Sequence, residues 1–197
     1  MLAIIIFTSI VSLIGFRNSD IFNKLKFNAY YVSKKKEWYR VFTHAFLHAD
    51  WIHLIVNMLV LIIFGVKLEQ IFISLGYGKI TLYALYFIAI IVSSIHDLLK
   101  YKNNEFYNAI GASGAVAAVL FSYIFFSPKE LIYIYGAIPI PAYLFAIGYI
   151  AYSFYMGKNS KSNIGHFAHL YGAIFGFVFP ILLNPALLDQ FMLKMGL

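Results

Sequence analysis

The residues with the clearest chemical potential are Ser113 and His169. Ser113 stands in the run G-A-S-G at 111–114, where glycines on both sides remove bulk, so another backbone can approach the hydroxyl. His169 precedes Gly172 and Gly176, a G-x-x-x-G pair of the kind that lets two membrane helices pack closely. A serine beside a histidine can act as a nucleophile, with the imidazole as general base. Alone, each residue also has a purely structural interpretation, a serine bonded within its helix or a histidine bonded to a carbonyl.

A second polar pair, His53 and Asn57, has the spacing that puts two side chains on one face of a helix. Hydrolysis of an amide passes through a tetrahedral oxyanion, which needs preorganised hydrogen-bond donors. An imidazole, a carboxamide and the backbone N–H of Ser113 are suitable donors. The alternative is a polar clasp between helices.

These residues must be positioned by apolar helices. Six stretches approach the roughly 20 apolar residues that a membrane helix needs, at approximately 2–16, 52–66, 80–99, 109–127, 137–156 and 163–184. The first is short, but it lacks the basic start and cleavage site of a signal peptide, so we interpret it as a retained helix. Short connections predict a compact antiparallel bundle. In this bundle the candidate residues all lie near one side of the membrane, the side of the odd-numbered loops, which are the first, third and fifth connections between spans. These residues are Ser113, His169, His53 and Asn57.

Composition supports the same class of protein. Hydrophobic residues make up 62% of the 197 residues and charged residues 12%, and the mean hydropathy is +0.79, which is far more apolar than soluble domains. We therefore predict an all-α membrane protein with one domain over residues 1–197. The absence of cysteine excludes disulfides and thiolate chemistry. The net charge of +7 indicates contact with anionic lipid headgroups rather than with nucleic acid.

The long loop at 17–51 is the charge-rich connection. It carries seven basic residues, interleaved with aromatic residues such as Trp38 and Tyr39. This mixture predicts a segment that lies in the membrane interface.

Taken together, these patterns resemble the rhomboid family of intramembrane proteases. The resemblance covers essentially the whole chain and rests on three motifs. In chain order they are the stretch from Thr43 to Asn57, with Glu69 twelve residues further on, G-x-S-G as Gly111-Ala112-Ser113-Gly114, and H-x-x-G-x-x-x-G from His169.

The resemblance implies a compact six-transmembrane-helix bundle and an activity. Ser113 would be the nucleophile, His169 the general base and acid, and His53 and Asn57 the oxyanion donors, with neither metal nor cofactor. Substrates would be single-pass transmembrane proteins, and we expect the enzyme in the cell membrane of a prokaryote.

The resemblance also implies supporting roles around the site. Arg40 and Glu69 would be structural polar residues, and His44 and His48 would anchor the long loop near the second helix. The segment 157–162 would cover the site. The fifth helix, with Pro139 and Pro141 near its start, would be a movable gate.

Two features depart from the family pattern. Some members carry an aromatic residue one turn after the serine, stacked on the catalytic histidine, where this chain has Ala117. The odd-numbered loops hold 11 of the 15 basic residues, which by the positive-inside rule places them in the cytoplasm. The family usually opens its site on the opposite side of the membrane, so two orientations stay open.

Three other functions fit the sequence less well. A metal-dependent protease would require H-E-x-x-H, which does not occur, although His44 and His48 have the i, i+4 spacing. A transporter would favour central carboxylates and an internal repeat, and neither is evident. An inactive rhomboid-like binding protein typically lacks the serine or the histidine, whereas this chain has both.

Overall fold

The computed structural model describes residues 1–134, 136–159 and 165–197. Eleven α-helices and one β-hairpin are found in these ranges: α1 Leu2–Arg17, α2 Ser19–Leu25, α3 Ala29–Lys34, α4 Arg40–Thr43, α5 Trp51–Val60, α6 Val66–Ser74, α7 Lys79–Tyr101, α8 Ser113–Phe126, β1 Leu131–Ile134, β2 Ile138–Pro141, α9 Ala142–Asn159, α10 His166–Leu183 and α11 Leu187–Met195. A 3-10 turn at His44–Phe46 follows α4, and a π-helical turn at Leu61–Gly65 joins α5 to α6.

The prediction of an all-α membrane bundle is confirmed. Within the described residues, three helices are long and apolar enough to cross a membrane: Trp51–Ser74, Lys79–Tyr101 and His166–Leu183. Two shorter apolar helices, Leu2–Arg17 and Ser113–Phe126, stand at the predicted first and fourth spans. The number of six crossings stays a prediction.

Three predicted boundaries differ from the observed helices. The second span continues beyond residue 66, because the π-helical turn carries the helix on to Ser74. The fourth span was predicted from 109, but α8 begins at Ser113, since Ala109 instead exchanges two backbone hydrogen bonds with Phe27. The fifth was predicted from 137. Proline removes a backbone donor, and residues 138–141 form the antiparallel strand β2, so α9 begins at Ala142.

Helix α8 forms the centre of the bundle, with every residue from Gly114 to Phe126 buried. Helix α10 packs against it, and the two backbones touch at Gly172 and Gly176. A β-carbon placed on Gly172 would lie 2.0 Å from the carbonyl oxygen of Gly114, and one on Gly176 would lie 2.1 Å from that of Ala118. The G-x-x-x-G pair therefore lets the two backbones touch, as its spacing predicted.

The predicted interfacial loop folds into α2, α3 and α4 around Arg40. One guanidinium nitrogen, Nη1, donates to the backbone carbonyls of Asn23 and Lys26, each at 2.9 Å, and Nε donates to the Glu37 carboxylate at 2.5 Å. The hydrogen bond from Arg40 holds the pKa of Glu37 below its ordinary value. Arg40 is 6% exposed, so it ties the loop together from within.

Candidate active site

Ser113 and His169 meet between α8 and α10. The hydroxyl oxygen Oγ of Ser113 lies 2.6 Å from Nε2 of His169, although 56 residues separate them in the chain. Both side chains are half-buried, Ser113 as the first residue of α8 and His169 in the first turn of α10. The close contact of Gly114 with Gly172 lies beside this pair, and it sets the distance between the two helices.

Gly111 shapes the approach to Ser113. Its φ of +116° belongs to a region that residues with a β-carbon rarely adopt. A β-carbon there would lie 2.7 Å from Cε1 and 3.0 Å from Nε2 of His53, and 3.8 Å from Oγ of Ser113. The imidazole of His53 and the serine hydroxyl therefore face each other across a position that only glycine leaves open. The N–H of Gly111 donates to the carbonyl of His44 at 3.0 Å.

Helix α5 presents His53 and Asn57 to the same space. Asp50 caps this helix, accepting from the backbone N–H of His53 at 2.8 Å. The carboxamide nitrogen of Asn57 donates to the carbonyl of His53 at 2.9 Å, and Asn57 is 4% exposed. Because an amide group carries two N–H donors, this bond leaves one donor for a ligand.

A cavity of about 1070 Å³ connects these groups. Ser113, His169, His53 and Asn57 all line it, so the structure brings together every residue that the sequence analysis proposed for the site. Its apolar wall includes Val56, Val60, Ala117, Leu120 and Phe145.

Two buried histidines brace the loop beside the site. His44 pairs its Nε2 with the Ser94 hydroxyl on α7 at 3.1 Å, and His48 pairs its Nδ1 with the Ser12 hydroxyl on α1 at 2.8 Å. The resemblance implied anchoring near the second helix, and His48 does pack against His53, with ring centroids 4.8 Å apart. Its hydrogen bond, however, runs to the first helix. Burial lowers the pKa of His44 to about 4 and that of His48 to about 3.

The contacts of His48 also fix its tautomer. The Ser12 hydroxyl donates its one hydrogen to the carbonyl of Phe46 at 2.8 Å. It must therefore accept a hydrogen from Nδ1 of His48, which leaves Nε2 unprotonated in the neutral ring.

Some residues at the cavity were not found from the sequence. Asp97, near the end of the third span, is 7% exposed, and it accepts from the Tyr107 hydroxyl at 2.5 Å and contacts Nδ1 of His96 at 2.9 Å. Tyr149 of α9 packs its ring 6.4 Å from that of His169. No motif in the sequence connects Tyr149 with the pair, because Tyr149 lies on α9, whereas Ser113 lies on α8 and His169 on α10.

The other predicted residues lie away from this site or outside the residues that the structure describes. Glu69 accepts from the amino group of Met1 at 2.7 Å. Of the predicted covering segment 157–162, residues 160–162 lie outside the described residues. Among the residues that the structure does describe, no group of three or more His, Cys, Asp or Glu side chains could hold a metal ion.

Comparisons with known proteins identify the family of this chain. The model of the Rhomboid domain family matches residues 35–186, a range that contains all four site residues. "RHOMBOID-like protein 1" of Arabidopsis thaliana is 35% identical over 158 residues, covering 78% of this chain and 37% of that protein. "RHOMBOID-like protein 12, mitochondrial" of the same plant is 28% identical over 155 residues, covering 71% of this chain and 45% of that protein.

A mammalian relative gives the same picture. "Rhomboid-related protein 2" of Mus musculus is 25% identical over 154 residues, covering 75% of this chain and 48% of that protein. The chain therefore spans less than half the length of each of these curated relatives. Because the family model covers more than half of the chain, including its Ser–His pair, the chain belongs to the rhomboid family.

Proposed function

We propose that this integral membrane protein is an intramembrane serine endopeptidase, which hydrolyses peptide bonds of transmembrane proteins with a Ser113–His169 dyad. The observation that carries the proposal is the 2.6 Å contact between Ser113 Oγ and His169 Nε2 at a cavity inside an apolar helix bundle. Rhomboid proteins are generally serine proteases, and membership of the family supports the same conclusion.

The chemistry follows from this contact. Nε2 of His169 takes the proton of the Ser113 hydroxyl as Oγ attacks the substrate carbonyl carbon, and a tetrahedral intermediate forms. The protonated imidazole then gives that proton to the leaving amine nitrogen, which leaves an acyl-enzyme on Ser113. A water molecule, deprotonated by the same nitrogen, attacks the ester and releases the acid product together with the free hydroxyl.

Negative charge develops on the carbonyl oxygen in both tetrahedral intermediates. We assign the donors for this oxygen to His53, Asn57 and the backbone N–H of Ser113, which starts α8. The placement of the His53 ring against Gly111 and the spare amide hydrogen of Asn57 support the assignment. By analogy with measured enzymes, one such donor contributes roughly 10²–10³ to the rate.

The substrates we propose are single-pass transmembrane proteins, cut near a membrane boundary where a helix readily unwinds. The location of Ser113 at the beginning of α8 rather than at its middle supports this depth. We place the protein in the cell membrane of a prokaryote, although the curated relatives reported above come from a plant and a mouse.

The proposal is tested with detergent-purified protein and a generic single-pass substrate. We expect cleavage by the wild type, and loss of cleavage in Ser113→Ala and His169→Ala. Ser122→Ala is the matched control, because Ser122 is a buried serine on the same helix, away from the pair. Cleavage that persists in Ser113→Ala would assign the activity to another group or to a contaminant. No cleavage by the wild type would favour an inactive rhomboid-like binding protein.

A further inference from the structure

The imidazole of His169 needs a support for its ring plane. Its Nε2 faces Ser113, but one hydrogen bond does not by itself fix the plane of a half-buried ring. The residue one turn after the serine, Ala117, presents only a methyl group to this space. Ala117 therefore offers no ring against which the imidazole could pack.

Tyr149 supplies a ring from α9. Its centroid lies 6.4 Å from that of His169, with 33° between the planes, within the range over which aromatic rings attract one another. The His166 ring stands at 6.3 Å and nearly perpendicular to the His169 ring, at 80°. The Tyr149 ring therefore lies closer to parallel with the His169 ring than the His166 ring does.

Tyr149 is itself held in place from two directions. Its ring packs 5.3 Å from that of Phe121 on α8 and 5.8 Å from that of Phe145 on its own helix. Because α8 also carries Ser113, Tyr149 connects both helices of the pair. We propose that Tyr149 is the positioning residue that holds the His169 imidazole toward Ser113, an inference that rests on the proposed function.

The test compares Tyr149→Leu, Tyr149→Phe and Tyr155→Leu. Tyr155 is the matched control, since it lies on the same helix with 64% of its surface exposed. We expect Tyr149→Leu to lower kcat by about 10- to 100-fold, as a misplaced catalytic group does, with KM changed by less than about threefold. Phenylalanine keeps the ring, so Tyr149→Phe should stay within about twofold of the wild type in kcat.

Wild-type kcat in Tyr149→Leu would overturn the inference, and so would an equal loss in Tyr149→Phe, which would assign the effect to the hydroxyl. If Tyr149→Leu melts early, Tyr149→Met replaces it, because methionine fills irregular space without a ring. Nuclear magnetic resonance of the His169 ring protons gives a readout that does not need activity. Their ring-current shift should disappear in the leucine variant and persist in the phenylalanine variant. Shifts unchanged in both would overturn the inference, whereas a wild type without activity bears only on the proposed function.

Discussion

Replacing Gly172 with alanine should separate the two halves of the site. A β-carbon at Gly172 would lie 2.0 Å from the carbonyl oxygen of Gly114, whereas ordinary contacts begin near 3.4 Å. The clash is between backbones, so a rotamer change cannot relieve it, and α10 must move from α8 by about 1.4 Å. The hydrogen bond of 2.6 Å between Ser113 and His169 would then stretch beyond hydrogen-bonding range.

We expect Gly172→Ala to lower kcat by about 10²-fold, the cost of a misplacement of about 1 Å. Overpacking should also lower the free energy of unfolding, by about 1–3 kcal/mol. The assay is cleavage of a single-pass substrate at saturating concentration, with thermal denaturation of the same preparations.

Two further variants separate activity from stability. Gly176→Ala produces a comparable clash, 2.1 Å from the carbonyl oxygen of Ala118, but one turn further from His169. It should lower the melting temperature similarly and kcat less. Gly148→Ala on α9 is the control, because a β-carbon there meets nothing within 4 Å. Wild-type kcat and melting temperature in Gly172→Ala would refute the idea that backbone contact sets the distance between serine and histidine.

Three other changes test the surroundings of the pair. Asn57→Ala should lower kcat by roughly 10²–10³ at an unchanged melting temperature, because among the described residues its amide bonds only to a carbonyl of its own helix. Full activity would rule out its oxyanion role. Gly111→Ala should lower both kcat and the melting temperature, since φ is +116° and the β-carbon would strike His53; Gly76→Ala, with φ of +83° and open space, should affect the melting temperature alone. Burial lowers the pKa of His48 from its ordinary value of 6.5 to about 3 in the folded protein. Below pH 6.5 the unfolded chain therefore binds more protons at this residue than the folded protein does. The contribution of His48 to the free energy of unfolding should therefore fall as the pH drops below 6.5, with a slope that approaches about 1.4 kcal/mol per pH unit near pH 5. His48→Gln should flatten this slope in thermal denaturation, and equal slopes would contradict the assignment.

Much of this architecture could be predicted from residue spacing. The length of the apolar segments located the helices. The spacing of Gly172 and Gly176 predicted a close helix contact, because glycines on one face of a helix let another backbone approach. The pairing of Ser113 with His169 followed from their similar depth on two such helices.

Other features depend on contacts that spacing does not encode. The π-helical turn at Leu61–Gly65 contains no residue type that marks a π-helix in a sequence. The continuation of the second span to Ser74 was therefore not predicted. The backbone pairing of Ala109 with Phe27 joins segments about 80 residues apart, and it delayed the start of α8. Tyr149 reaches His169 from a third helix, which only the assembled bundle reveals.

The contact of Gly172 and Gly176 with α8 has a dynamic consequence. Two helices whose backbones touch at both glycines cannot slide past each other without a clash. We therefore expect Ser113 and His169 to move together on the microsecond-to-millisecond timescale of helix motions. Opening elsewhere in the bundle would therefore leave the nucleophile and its base assembled. Ser113 and His169 would then stay within hydrogen-bonding distance before a substrate arrives. A serine-directed reagent should then label Ser113 in the open and the closed form alike, at rates limited by entry into the cavity.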